Sequence, residues 1–228
     1  MSIKICDAII LAAGSSKRFD SSKFKQYFKI NNKTLINLAI YNLNSTKKLR
    51  TIYVVLNKES NHKILKNIKN VKTLIGGNTR TKSVYKALNY LSKDKNPPYN
   101  VLIHDAARPC LVIKELKELI EKGSSVSTGL SLGYPLTNAL KKVGSGLNVI
   151  ENIKRDNLYM SFTPQLYNFT KLFKAYTDII NKKLNVDDEI EAMTKLGYKV
   201  KIVKSSPRNI KLTYQDDVKV IKDLMKKI

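Results

Sequence analysis

The stretch that decides the fold reads Ala8-Ile9-Ile10-Leu11-Ala12-Ala13-Gly14-Ser15-Ser16-Lys17-Arg18. An apolar run of strand length stops at a turn of small residues. Cations follow within a short distance, at Arg18 and in the triplet Lys25-Gln26-Tyr27. Small side chains let backbone N–H groups approach an anion closely, and the cations neutralise the charge that remains. A protein holds a polyphosphate at the carboxyl end of a buried strand in this way. The stretch is neither a Walker A pattern nor a full G-x-G-x-x-G, so its meaning depends on what surrounds it.

Outward from this turn, residues 4–11 predict a buried first strand and 33–44 an amphipathic helix carrying Leu35, Leu38, Ala39 and Leu43. Residues 51–56 predict a second strand, 59–68 a helix and 71–75 a third strand. Thr79 is placed to cap a helix whose Val84, Ala87, Leu88 and Leu91 follow the i, i+3, i+4, i+7 spacing. The Asn96-Pro97-Pro98 break precedes a strand at 99–103. Strands alternating with helices of this length imply right-handed βαβ units, an α/β fold and a mainly parallel sheet, with ligands gathered at the carboxyl ends of the strands. The pattern then changes. A small-residue strand is expected at 124–132, and 135–155, with Gly144 and Gly146, suggests an extended hairpin or arm. Helices at 168–182 and 187–196, a strand at 198–204, a short segment at 209–213 and a closing helix at 215–228 complete the chain. No repeat or linker divides it, so residues 1–228 are expected to form one domain.

Composition limits the function classes. No apolar run reaches membrane-spanning length, and the first residues do not form a signal peptide. Cys6 and Cys110 have no metal-ligand spacing, so they read as buried thiols of a reducing compartment, and a cytoplasmic location is expected. The formal net charge of +24 would suit a nucleic-acid binder. The lysines, however, are spread along the whole chain without a basic stripe or stacking aromatics, which argues against that partner and fits the capture of small polyanions. Arginine is the sharper probe. The chain has six, at 18, 50, 80, 108, 155 and 208, against 36 lysines. In so lysine-rich a sequence, arginine should persist where a planar, multidentate donor is needed.

Each expected strand end is followed by a polar cluster. The first is the Gly14–Lys25 loop. The third strand leads into Gly76-Gly77-Asn78-Thr79-Arg80 and Ser83, and the fourth into His104-Asp105-Ala106-Ala107-Arg108-Pro109. Asp105, just beyond a buried strand, is placed either to hold a divalent cation bridging phosphates or to cap a helix or pair with Arg108. No G-x-S-x-G serine accompanies His104, which reads as a hydrogen-bonded structural residue.

Taken in order, seven segments resemble the 2-C-methyl-D-erythritol 4-phosphate cytidylyltransferase family. They are L-A-A-G with Arg18 at 11–18, K-Q-Y at 25–27, G-G-x-x-R-x-x-S-V at 76–84, H-D-A-A-R-P at 104–109, Arg155, T-P-Q at 163–165 and N-I-K-L-T at 209–213. The resemblance implies a Rossmann-like nucleotidyltransferase fold with a protruding β-arm. It also implies Mg²⁺-dependent transfer of CMP from CTP to a polyol phosphate in non-mevalonate isoprenoid synthesis. By that resemblance Arg18 and Lys25 stabilise the transition state, and Arg155 and Lys211 orient the acceptor phosphate. Ala12, Ala13 and Gly14 cradle the triphosphate, and Gly77, Asn78 and Ser83 read the cytosine. Asp105, the metal residue, and Arg108 lie by the metal and phosphates. The resemblance further implies a homodimer whose arm reaches into the partner's site.

The chain departs from the family pattern at Ser16 in place of a second glycine and at Asn78 in place of Asp. It departs again at Asn138-Ala139 in place of Asp-Thr, and at Asp187-Asp188-Glu189 in place of Thr-Asp-Glu, unless a one-residue gap puts Val186 at the Thr. These changes leave ribitol 5-phosphate cytidylyltransferase open as the alternative with the same chemistry. A non-catalytic nucleic-acid-binding protein is the alternative of a different class.

Overall fold

The computed structural model describes residues 5–14, 19, 24–60, 65 and 68–226. The first strand, β1 (Cys6–Ala12), is followed by two short strands, β2 (Lys29–Ile30) and β3 (Lys33–Thr34), and by α1 (Leu35–Asn44). Thr34 ends β3 and caps α1, its hydroxyl accepting from the Asn37 N–H at 3.2 Å, so the helix expected from residue 33 starts slightly later. Next come β4 (Ile52–Leu56), β5 (Val71–Ile75), α2 (Arg80–Leu91) and β6 (Asn100–Asp105). The helix expected over 59–68 falls largely outside the described residues.

The second half contains α3 (Ile113–Gly123), β7 (Gly129–Pro135), β8 (Leu140–Val143), β9 (Val149–Ile153) and β10 (Tyr159–Asn168). It closes with α4 (Phe169–Asn181), α5 (Glu189–Lys195), β11 (Val200–Lys204) and α6 (Asp217–Met225). The arm expected near 135–155 is the β8–β9 hairpin, a two-stranded sheet of its own.

Seven strands form the central sheet in the order β11-β7-β10-β6-β1-β4-β5. β1 pairs in parallel with both β4 and β6, and β5 and β11 extend the two edges in parallel. β10 alone runs against its neighbours β6 and β7. The chain leaves β1 toward β4 and β5, then returns to β6 on the other side. The order therefore reverses between β1 and β6, where a ligand crevice is expected to open.

Alternation along β1 sends Cys6, Ala8, Ile10 and Ala12 into a core beneath α1 and α3, and Ile9 into a second core beneath α2 and α4. A third, smaller cluster joins Phe19, Ile30, Leu35, Leu38, Cys110, Leu212 and Ile221. It anchors the irregular 209–214 segment beside the sheet end. Both cysteines are buried free thiols, as expected.

Candidate active site

The parallel register pairs Leu11 with Asp105, so the turns that leave β1 and β6 lie side by side. The Ala106 N–H donates to the Leu11 carbonyl at 3.1 Å and fixes that contact. Above the two strand ends opens a cavity of about 470 Å³. Ala12, Ala13 and Gly14 form one wall, Gly77, Asn78 and Ser83 another, and Asp105, Lys25 and Lys211 a third. Segments far apart in sequence thus converge on one crevice.

The Gly76–Gly77 turn requires its glycines by close approach. A Cβ on Gly76 would stand 2.8 Å from Ser83 Oγ and 2.9 Å from Ala13 Cβ, and one on Gly77 would stand 2.5 Å from Lys82 Cβ. Thr79 caps α2 as expected, accepting from the Lys82 N–H at 3.1 Å. Ser83 lines the cavity and also fastens the turn: its hydroxyl accepts from the Gly77 N–H at 3.0 Å and donates to the Thr79 carbonyl at 2.8 Å. The Asn78 side chain is exposed at the mouth.

Asp105 is the electrostatic centre. Lys211 Nζ donates to its Oδ2 at 2.7 Å, Arg80 Nη2 lies 3.8 Å from Oδ1, and Arg108 Nε lies 3.9 Å from Oδ2. Burial alone would raise the Asp105 carboxyl. Lys211, then Arg80 and Arg108, outweigh that effect and hold it well below the usual carboxylate range. Beneath it, the Asp105 N–H donates to Thr163 Oγ1 at 3.0 Å, and Thr163 Oγ1 lies 3.2 Å from His104 Nδ1. Burial pushes the His104 imidazole down to about 4, against the pull of Asp105, so it is neutral near pH 7 and structural, as its surroundings in the sequence suggest.

Two hydrogen bonds to backbone carbonyls place the second lysine. Leu212 N–H donates to the Ala107 carbonyl at 2.8 Å, and Asn209 Nδ2 donates to the Thr163 carbonyl at 2.9 Å. The first lysine, Lys25, comes from a single 3₁₀ turn at Lys25–Tyr27 and donates from Nζ to the Leu212 carbonyl at 2.9 Å. The two ammonium groups are therefore linked through adjacent backbone.

Two expected site residues, Arg108 and Arg155, lie away from this cavity. Arg18 and Ser16 lie outside the described residues. Arg108 does not line the cavity: it sits behind Asp105, with Nη1 donating to the Asn209 carbonyl at 2.8 Å and the guanidinium over the Phe162 ring. Arg155 is exposed at the base of the arm, where Nη1 donates to the Thr137 carbonyl, and does not reach the cavity of its own chain. Val186 is buried in the second core with its N–H on Thr81 Oγ1 at 3.1 Å, whereas Asp187 is exposed.

Sequence reasoning gave Arg80 no role, and it passed over Glu189 as a single residue. Arg80 lines the cavity and donates from Nη1 and Nη2 to the two Glu189 carboxylate oxygens at 2.8 and 2.9 Å. The scarcity of arginine in the chain was the available signal for Arg80. A fully buried glutamate leaves no comparable mark.

The sequence matches the family model described as "IspD: 2-C-methyl-D-erythritol 4-phosphate cytidylyltransferase" over residues 6–227. The chain belongs to this family. It is 34% identical over 221 residues to the 2-C-methyl-D-erythritol 4-phosphate cytidylyltransferase of Petrotoga mobilis, covering 94% of this chain and 96% of that protein. It is 36% identical to the enzyme of the same description from Wigglesworthia glossinidia brevipalpis, covering 92% and 91%. The crystal structure of the Francisella tularensis IspD superposes with a TM-score of 0.84 at 31% identity, over 96% of this chain and 99% of that one. The chain is accordingly a cytidylyltransferase with the Rossmann-like nucleotidyltransferase fold, and its pathway is isoprenoid biosynthesis.

Proposed function

We propose that this cytidylyltransferase moves CMP from CTP to 2-C-methyl-D-erythritol 4-phosphate at the cavity between β1 and β6. The observation that carries the reading is the meeting of Lys25 and Lys211 beside the 12–14 turn and Asp105 in that one cavity. An oxygen of the acceptor phosphate forms a bond to the α-phosphorus of CTP, and the bond from that phosphorus to the β-phosphate oxygen breaks, releasing pyrophosphate. The nucleophile is already anionic, so no base is required. The protein's task is to position two repelling anions and neutralise their charge.

In this reading the backbone of Ala12, Ala13 and Gly14 cradles the triphosphate, and Lys25, with Arg18, balances the charge that develops at the α-phosphoryl group. Lys211 draws in the acceptor phosphate. Gly77, Asn78 and Ser83 border the space for the cytosine, where the Asn78 carboxamide oxygen can accept from the base amine. Arg108 acts from behind the wall, by its charge on Asp105.

A magnesium ion fits these residues. Among the described residues no group of three or more His, Cys, Asp or Glu side chains surrounds a common point. One hard carboxylate facing a phosphate site is, however, the usual protein contribution to a magnesium–nucleotide complex. Asp105 would hold it together with phosphate oxygens. The ion would neutralise phosphate charge. The exposed apolar side chains of Leu147, Val149 and Ile150 on the arm, together with an Arg155 remote from its own cavity, support a homodimer in which each arm supplies Arg155 to the partner's site. A cytoplasmic setting accords with the two free buried thiols.

Pyrophosphate release from CTP and magnesium, measured with methylerythritol phosphate and with ribitol 5-phosphate in parallel, tests the proposal. Turnover with the first acceptor is expected. Turnover with ribitol phosphate alone would transfer the site to the other acceptor, and silence with both would remove the catalytic reading.

A further inference from the structure

Arg80 opens α2 and reaches a carboxylate 109 positions further along the chain. Both of its terminal nitrogens are engaged by Glu189, whose Oε1 also accepts from the Tyr176 hydroxyl at 3.0 Å. Glu189 is fully buried and does not line the cavity. Arg80 does line it, with Nη2 at 3.8 Å from Asp105 Oδ1. One guanidinium therefore lies between two carboxylates: one sealed in the core at hydrogen-bond distance, the other open to the site and about an ångström further away.

That asymmetry sets how strongly Arg80 competes for Asp105. With Glu189 charged, the guanidinium is held and largely compensated on the buried side. With Glu189 neutral, Asp105 becomes its nearest counter-charge, and a cation–nucleotide complex arriving at Asp105 has to displace a stronger rival. With both Arg80 and Glu189 neutral, that rival is gone and Lys211 and Arg108 remain. We propose that Glu189 is a positioning residue acting through Arg80: by retaining the guanidinium it keeps the Asp105 carboxylate available to the magnesium–CTP complex. The inference rests on the role given to Asp105 above.

A purely structural pair would also join α5 to α2, but its loss would lower stability without altering the magnesium dependence of nucleotide binding. The test is calorimetric titration of CTP into the full chain across a magnesium series, with melting temperature recorded for each variant. Glu189→Gln is expected to raise the magnesium needed for half-maximal CTP affinity about 5-fold, the scale of a coupling passed through one intervening side chain. The double variant Arg80→Met with Glu189→Gln, which removes the guanidinium 3.8 Å from Asp105 Oδ1, is expected to bring that requirement below the wild-type value. Tyr176→Phe, which removes a hydrogen bond and keeps both charges, should lower the melting temperature and leave the requirement unchanged. If Glu189→Gln does not fold, the double variant, which buries no unpaired charge, carries the test alone. Requirements that stay constant, or that rise in both Glu189 variants, overturn the inference while the CTP reading stands. A wild-type chain that binds no CTP in saturating magnesium overturns both.

Discussion

Two buried aspartates on neighbouring strands of one sheet, Asp7 near the start of β1 and Asp105 at the end of β6, are built for opposite purposes. Asp7 is closed: Arg50 Nε and Nη2 donate to its two oxygens at 2.9 and 2.5 Å, and the Thr51 N–H adds a third bond at 3.1 Å. Asp105 is surrounded by more positive charge but is less tightly bonded, with a single cation at hydrogen-bond distance and two near 4 Å. A matched bidentate pair with a third donor engages both oxygens and leaves little to offer a ligand. Excess, partly engaged cations around one carboxylate create a site that a polyanion completes. In the proposed reading the amino end of the sheet holds the fold, and the carboxyl end does the chemistry.

Substitutions at the two ends should separate accordingly. The largest effect belongs to the carboxyl end: Lys211→Ala should lower turnover by ~10²- to 10³-fold, and Lys25→Ala by ~10²-fold or more, the scale of losing one preorganised donor to developing charge. Steady-state pyrophosphate release reads both, and near-normal rates would remove these lysines from the mechanism. At the amino end, Arg50→Ala leaves the fully buried Asp7 carboxylate without its partner and should cost roughly 3 kcal/mol or more in urea unfolding. Its kcat should stay within about 2-fold of wild type, as expected for a change remote from the reacting groups.

A smaller effect concerns pH. The His104 imidazole is lowered from 6.5 to about 4 in the folded chain. Its contribution is complete above 6.5 and is lost as pH falls toward 4, because the unfolded chain takes up the proton first. The loss amounts to at most ~3 kcal/mol. Denaturant unfolding from pH 7 to 4 should show a shallower decline for His104→Gln than for wild type, and equal slopes would contradict the assignment. Smallest in amplitude is a mixing experiment. Arg155→Ala and Lys211→Ala chains, each inactive alone, should recover about a quarter of wild-type activity when co-refolded if the arm acts across a dimer. No recovery would place Arg155 in its own chain's site or outside the mechanism.

Sequence reading reached the parts governed by local pattern. Ile9 and Ile10 with the small-residue turn placed β1 and its ligand end, and Thr79 with Val84, Ala87 and Leu88 placed α2. It passed over α3, although Leu116, Leu119 and Ile120 carry the helical spacing and are buried. It also passed over β10, because Pro164 interrupts an otherwise regular run. The structure accommodates that proline where the pairing with β7 shifts register, between Phe162 and Gln165. The site's loops were legible as polar clusters after strand ends. Their convergence came only through the family resemblance and not from local pattern, because it depends on the sheet order that places β6 beside β1 and on tertiary tethers such as Leu212 to Ala107. The Arg80–Glu189 pair was hidden for the same reason: nothing local relates the first residue of α2 to the first residue of α5.

The central claim is that one cavity, between the ends of β1 and β6, receives CTP. A crystal structure of the chain with CTP and magnesium tests it most directly. The triphosphate is expected over the Ala12–Gly14 turn, between Lys25 and Lys211, with the cytosine against Gly77 and Asn78. A nucleotide bound elsewhere on the molecule, with Lys211 still closed on Asp105 and the cavity filled by solvent alone, would contradict it.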